Sequence, residues 1–366
     1  MDIVALIQAN ILTPVVLFFI LGIVAARIKS DLRIPEAISE FLPIYLLAAI
    51  GLHGGLEMRK TGFESMLVPL LVAVALSILM TLYHYQILHR LGKFNIFDSY
   101  ALASTYGAVG AVTFSVGLSF LKSQGIESEG YIAAILATLE PIAFILAIFL
   151  TNMAVSKQMR TKKEPFVKND LDKPVSGEEF GIALEQSKTK LLTVLRESIT
   201  GKAIIILLGS IFIGYVIGEH GFAPIKIVFE DMFIAGIVIF LIEMGIIAGQ
   251  RLDDIKKGGA FLIGFALAVP TINGLIGVLI ATYLELSVGG AVMYGLLFAS
   301  ASFIAAPAVL RHTIPQAKPS LYITSALGIT FPYIIIILLP VMLMVSTALH
   351  NMDAINLMGI FDQVLQ

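Results

Sequence analysis

The chain has no cysteine among its 366 residues, which excludes disulfides, catalytic thiols and thiolate metal sites. It is also short of charge. Charged residues make up only 14% of it against 58% apolar residues, and its mean hydropathy is +0.93. Soluble domains do not have this balance, and the chain reads as a polytopic membrane protein embedded in a lipid bilayer. A net charge of −2 supplies no basic footprint for nucleic acid. The opening residues Met1-Asp2-Ile3-Val4 lack the basic stretch of a cleaved signal peptide, so the first apolar segment reads as a retained span. Catalytic spacings are missing too: there is no Gly-x-x-x-x-Gly-Lys-Ser/Thr loop, no His-Glu-x-x-His and no Gly-x-Ser-x-Gly elbow. An enzyme is not expected, nor a cofactor. Without a nucleotide loop, uphill transport has to use an ion gradient.

What is present is a series of long apolar segments. At roughly 20 residues per crossing helix, ten spans are expected near 9–28, 37–58, 66–88, 97–121, 131–154, 202–219, 230–250, 259–284, 289–311 and 320–348. The last is long enough to tilt or to kink at Pro332 and Pro340. Connections after the odd-numbered spans carry 20 of the 24 Lys and Arg residues; only Arg59, Lys60, Lys122 and Lys226 lie on the other side. Without the central linker the short loops still give 10 against 4. Cytoplasmic loops hold the positive excess, so both termini are expected on the non-cytoplasmic side of the cell membrane.

The expected organisation is a five-helix repeat over 1–154, a charged cytoplasmic linker over 155–201, a second repeat over 202–350 and a short tail over 351–366. The linker is rich in charge and proline, and its part from Glu178 to Ser198 has the apolar spacing of an amphipathic surface helix. It reads as a tether between two bundles or as a docking segment for a regulator. The halves match internally. Gly51 to Leu56 aligns with Gly245 to Gln250, Ala103-Ser104 with Ala299-Ser300, and Pro141 with Pro332, at shifts of 194, 196 and 191 residues. Five spans per half is an odd number, so the second copy is inverted.

Two spans at equivalent places are interrupted by small residues. One carries Ser104-Thr105-Tyr106-Gly107-Ala108-Val109-Gly110-Ala111-Val112-Thr113, the other Ala299-Ser300-Ala301-Ser302-Phe303-Ile304-Ala305-Ala306-Pro307. Such breaks free backbone groups that hydrocarbon cannot satisfy, and they survive where they line an enclosed cavity. A matched pair is the sequence pointer to a secondary transporter's midplane site. Half-helix N-termini suit an anion; the hydroxyls of Ser104, Thr105, Thr113, Ser300 and Ser302 suit a small cation such as Na+. The plainer alternative is that small residues only let helices pack closely.

Several ionisable residues lie in or near apolar stretches. Glu140, before Pro141, is a candidate proton carrier or a structural carboxylate, and Glu243 reads as a helix contact or an interfacial residue. His53 and His84 read as interfacial, with proton sensing as the alternative, and Arg311 and His312 as topology or headgroup residues.

Ile34-Pro35-Glu36-Ala37-Ile38-Ser39, Ile50-Gly51-Leu52-His53-Gly54-Gly55, Gly107-Ala108-Val109, and Pro307 followed by Leu310-Arg311 and Ile314-Pro315 resemble the sodium-dependent bicarbonate transporter family (SbtA type) from about residue 34 to 340. The resemblance implies an all-α fold of ten transmembrane helices, a 5+5 inverted repeat with two broken crossing helices. It further implies a mobile core of spans 3–5 and 8–10 that slides against a scaffold, or gate, of spans 1, 2, 6 and 7. A homotrimer and a cytoplasmic PII-like regulator are implied too. This chain departs from the family in the breaks. Gly110, Ala111 and Val112 replace a serine-rich run, keeping Thr113, and Ala301-Ser302-Phe303 stands where the family has Ser-Ser-Asp.

The candidate binding residues are therefore Ser104, Thr105, Gly107, Ala108, Val109, Gly110, Ala111 and Thr113 on the first break, Ser300, Ser302, Phe303, Ala305 and Ala306 on the second, and Glu140. Any Na+ is expected near Thr113 and Ser302. The function expected is secondary transport of a small, bicarbonate-like anion coupled to Na+ or H+. Two alternatives stand beside it: a transporter-derived sensor or scaffold without flux, and a cation–proton antiporter using Glu140.

Overall fold

A computed structural model describes residues 3–140, 142, 143, 145, 146, 202–252 and 259–364, and among them there are helices and no strands. The linker over 155–201 and the end of the expected fifth span lie outside the described residues. In chain order the helices that concern the site are α1 Ile3–Ile11, α2 Pro14–Arg27, α3 Glu36–Thr61, α4 Glu64–Gln86, α5 Ile96–Gly107, α6 Ala111–Ser123 and α7 over 132–140. The second half holds α8 Lys202–Phe222, α9 Phe233–Arg251, α10 Gly259–Tyr283, α11 Val288–Ala299, α12 Ala305–Thr313, α13 Pro319–Ser325 and α14 Leu339–Val364. Between α13 and α14 the chain stays helical but widens into π-helical turns at Ala326–Thr330 and Ile334–Leu338, on either side of Pro332. The helix of α14 runs on through the expected C-terminal tail.

Seven helical stretches among the described residues are long and apolar enough to cross a membrane, or eight if α1 and α2, bent by 59°, are taken as one. Ten were expected from sequence, and the difference has two sources. The fifth expected span begins with α7 and continues outside the described residues. The ninth is divided into α11 and α12, neither of which reaches spanning length alone. The α1–α2 bend was not expected either, although its chemistry is local. Thr13 caps α2, its hydroxyl accepting from Val16 N, and Pro14 takes the first helical position where no N–H is needed.

Two helix pairs make the closest crossings: α2 on α9 and α3 on α8. Glycine makes both possible. A Cβ at Gly22 would stand 2.2 Å from the Ile242 carbonyl oxygen, one at Gly245 2.1 Å from that of Phe19, and one at Gly55 2.0 Å from that of Ile211. Gly51 and Gly55 align with Gly245 and Gly249, so each half carries a Gly-x-x-x-Gly pair at its crossing.

Two carboxylates tie helix N-termini together. Asn95 caps α5, accepting from Asp98 N at 2.8 Å; buried Asp98 in turn accepts from Asn95 Nδ2 at 2.7 Å and from Lys318 N, just before α13, at 2.8 Å. Glu129, just before α7, accepts from the N–H and hydroxyl of Ser287, which caps α11. In each case one negative group faces two positive helix ends. Asp98→Ala removes the carboxylate that accepts two part-buried, charge-assisted hydrogen bonds, from Asn95 Nδ2 and Lys318 N. It is expected to cost about 2–3 kcal/mol, read as a lowered thermal midpoint, with Asp98→Asn recovering part of the loss because it keeps one acceptor oxygen.

Candidate functional site

The two breaks meet. Gly110 N donates to Ser300 Oγ at 2.9 Å, and Ser302 N donates to the Thr105 carbonyl at 2.9 Å. Gly110 is required by closeness, since a Cβ there would lie 2.8 Å from the Ala301 carbonyl oxygen and 2.9 Å from Thr113 Oγ1. Beyond this contact α6 and α12 begin, and neither Gly110 nor Ile304 at their N-caps supplies a side-chain acceptor. The first-turn N–H groups of both half-helices are thus uncapped by side chains, those of α6 beside buried Gly110 and those of α12 beside Ile304, which is 43% exposed, and such free helix ends favour an anion.

The hydroxyls divide by role. Ser104 Oγ and Thr105 Oγ1 donate to the Ala101 carbonyl at 3.0 and 2.8 Å, and Ser300 Oγ donates to Leu297 O at 3.2 Å while accepting from Gly110. These are spoken for as donors. Thr113 Oγ1, on a residue 1% exposed, has no partner among the described residues. It projects from the first turn of α6 back toward Gly110. A buried hydroxyl without a partner costs free energy, and here it sits where a ligand oxygen would satisfy it.

Of the other expected site residues, Ala108, Val109 and Ala306 are buried around the crossing, while Gly107, Ala111 and Ala305 are partly buried. Ser77 Oγ of α4 donates to the Gly107 carbonyl at 3.3 Å. Phe303 lies on the second break, 8% exposed. Its ring meets Phe331 edge-on at 5.2 Å, and Phe331 meets Phe19 of α2 at 5.4 Å. Glu140 is buried at the end of α7, and the Cβ of Ala143, three residues on, lies 3.3 Å from where a Gly107 side chain would begin, so this stretch of chain reaches the first break. Among the described residues no group of three or more His, Asp or Glu is placed to hold a metal ion.

His84 is not interfacial. It is completely buried in α4, and its Nε2 lies 2.9 Å from Asn273 Nδ2 of α10. Asn273 also donates to the Phe298 carbonyl at 3.2 Å, at the end of the first half of the broken ninth segment, and accepts from Tyr83 OH. Sequence reading passed over Asn273, yet a signal existed: Ser77 and Asn273 stand 196 residues apart, the same offset as Ser104 and Ser300. Each is a polar residue in an apolar span that donates to a carbonyl near the end of the half-helix preceding a break. Glu243 takes the expected helix contact, accepting from Ser39 Oγ. His53 lies 3.5 Å from Glu230 and edge-on to Phe222.

A comparison with curated proteins returned no match. The family model described as the Na+-dependent bicarbonate transporter superfamily, a family of transporters rather than enzymes, matches residues 14–347 and so takes in both breaks, the helices that carry them and all four members of the glycine crossings. The chain belongs to the Na+-dependent bicarbonate transporter superfamily.

Proposed function

We propose that the protein is a secondary transporter that carries a small anion across the cell membrane at the meeting point of its two broken helices. The observation that carries this reading is the pair of half-helix N-termini, uncapped by side chains, beside the partnerless hydroxyl of Thr113. An anion bound there receives backbone N–H groups and the positive ends of two helix dipoles. Family membership points to a bicarbonate-like solute and to Na+ as the coupling ion. The oxygens nearest to hand for Na+ are the hydroxyls of Thr113 and Ser302, a sparse set for a hard cation; H+ is the alternative, with Glu140 as its carrier.

In this reading the chain has ten spans in two inverted repeats of five, 1–154 and 202–350, joined by a cytoplasmic linker, with both termini on the opposite side. The paired crossings α2–α9 and α3–α8, and the paired carboxylate ties of Asp98 and Glu129, support such a symmetry. The α2–α9 and α3–α8 pairs form the scaffold, and the helices around the breaks form the core that moves as an elevator. A homotrimer and a PII-like regulator at the linker complete the proposal.

The test is uptake of labelled bicarbonate by purified protein in sealed proteoliposomes, with and without an inward Na+ gradient and with a pH step. Gradient-dependent accumulation is the expected result. If neither bicarbonate nor small carboxylates move under any Na+ or H+ gradient, anion transport is wrong.

A further inference from the structure

Proline removes a backbone donor, and in the last span the missing bonds are supplied by the first. At the π-helical turn Ile334–Leu338 the N–H of Leu339 donates five residues back, to the Ile334 carbonyl. The Ile335 carbonyl is passed over, and its next donor in the chain would be Pro340, which has no N–H. Pro340 also stands four residues after Ile336, where that carbonyl's helical donor belongs. Asn10 of α1 fills both places, its Nδ2 donating to Ile335 O at 2.6 Å and to Ile336 O at 3.3 Å. Asn10 is only 5% exposed, and a carbonyl left open at that depth is costly. Leu6, one turn earlier, is the other buried residue of α1, and the helix packs mainly on α14 and its widened turn. α14 is fastened in turn to the start of α11: Ser346 Oγ donates to Val288 O at 2.9 Å, and His350 Nε2 lies 2.8 Å from Leu286 O. α11 ends at the second break.

Pro14 stands four residues after Asn10, so the Asn10 carbonyl also loses its helical donor. Thr13 takes that carbonyl instead, through its N–H at 3.1 Å and its hydroxyl at 2.7 Å. Among the described residues no N–H of α2 reaches back to a carbonyl of α1, and the two helices are bent by 59°. Beyond this gap α2 is held by a different partner. Its crossing with α9 is main chain against main chain at Gly22 and Gly245, and again where Gly249 faces Ile23. The two parts of the first span are therefore bonded to different sets of helices, and the helical ladder between them is interrupted.

We propose that the first span is divided between the two bodies of the transporter: α1 moves with α14 and the broken helices, α2 stays with α9, and Thr13–Pro14 is the joint. The proposal rests on the core-and-scaffold reading above and changes its membership, because the family resemblance implies a scaffold that contains the whole of span 1. A helix with an unbroken ladder resists such a division, since bending it opens hydrogen bonds that hydrocarbon does not replace. Here the hydrogen bonds at the joint run through Thr13 alone, back to Asn10 O and forward from Val16 N and Leu17 N, so a change of angle there opens no bond between α1 and α2 directly. The Phe19–Phe331 contact of α2 is ring against ring, with no hydrogen bond to break when the bodies slide.

The chain has no cysteine, so spin labels on introduced cysteine pairs report without background. Distances are measured in the purified full-length protein, with and without Na+ and bicarbonate, between exposed positions. Leu279 on α10 paired with Ile239 on α9 reports motion of one body against the other. Gln8 on α1 paired with Ile239 spans the joint, Gln8 with Met352 on α14 stays within the broken-helix body, and Leu21 on α2 with Ile239 stays within the scaffold. The first two distances should shift together while the last two hold. Asn10→Leu leaves the carbonyls of Ile335 and Ile336 open and should broaden the Gln8–Met352 distribution; an unchanged distribution overturns Asn10 as the tie. The four pairs decide the division without that variant, so a folding defect in it does not blunt the test. A shift of Leu279–Ile239 with Gln8–Ile239 fixed, or a shift of Gln8–Met352, overturns the divided span and leaves the two bodies standing. No shift of Leu279–Ile239 removes the core-and-scaffold reading itself, and this inference with it.

Discussion

Thr113→Val should make the protein more stable and weaken its binding of the proposed anion. Valine has nearly the shape of threonine, so the packing around α6 is kept, and the only loss is a hydroxyl that has no partner among the described residues. Relieving a buried, unsatisfied hydroxyl is worth about 1–3 kcal/mol, which should appear as a raised thermal midpoint in the absence of ligand. The same hydroxyl, placed at the first turn of α6, is the side-chain donor best positioned for an incoming anion. A hydrogen bond to a charged group contributes about 1.5–3 kcal/mol, so its removal should weaken anion binding by roughly ten- to 150-fold. Thr113→Ser keeps the oxygen and should retain most of the binding. Opposite signs for stability and affinity are the diagnostic result. A variant that loses both, or that binds as before, would mean Thr113 serves only packing.

Gly245→Val should have the largest effect on folding. A Cβ at Gly245 meets the Phe19 carbonyl oxygen at 2.1 Å, and both sides of that contact are main chain, which cannot swing away as a side chain would. The α2–α9 crossing has to open, and Phe19 is pulled from its edge-on contact with Phe331 at the same time. Overpacking of a tight interior typically costs about 1–3 kcal/mol and sometimes more. Here the main-chain clash puts the effect at or above the upper end, and the expected result is loss of monodisperse protein after detergent extraction. Gly264→Ala is the control, because nothing lies within 4 Å of a Cβ there and alanine favours the helix. It should extract as the unmodified protein does.

Much of this site was legible because its signals are local. A glycine or proline inside a membrane-length apolar run has to be explained by an enclosed polar environment, wherever in space that run ends up. Both breaks were therefore visible, as was their equivalence at a shift of 196 residues. The glycines at 51, 55, 245 and 249 were visible as a repeat, but their purpose was not, since close approach depends on the helix that arrives from the other half. His84 was misread for a related reason. Polar residues near the ends of apolar runs are usually interfacial, but α4 continues into a π-helical turn at Ile87–Leu91, and Asn273 from α10 meets the imidazole in the interior. Likewise, nothing in the run Leu6 to Pro14 discloses that Asn10 donates to the carbonyls of Ile335 and Ile336, tying α1 to the widened helix before α14.

By itself the sequence determined the membrane setting, the helical class and the positions of the two breaks. Hydropathy, helix period and backbone satisfaction in hydrocarbon act over a few turns of chain and need no partner. Tertiary structure alone decided which hydroxyls remain free and what the site faces. Ser300 is engaged by Gly110 and Thr113 is left over, and Phe303 stands against Phe331, which in turn meets Phe19, rather than in open space. The Gly110–Ser300 and Phe19–Phe331 contacts join residues 190 and 312 positions apart, and even Phe303 and Phe331 lie on different helical segments. The identity of a donor can be read along the chain; whether it is already satisfied depends on what packs against it.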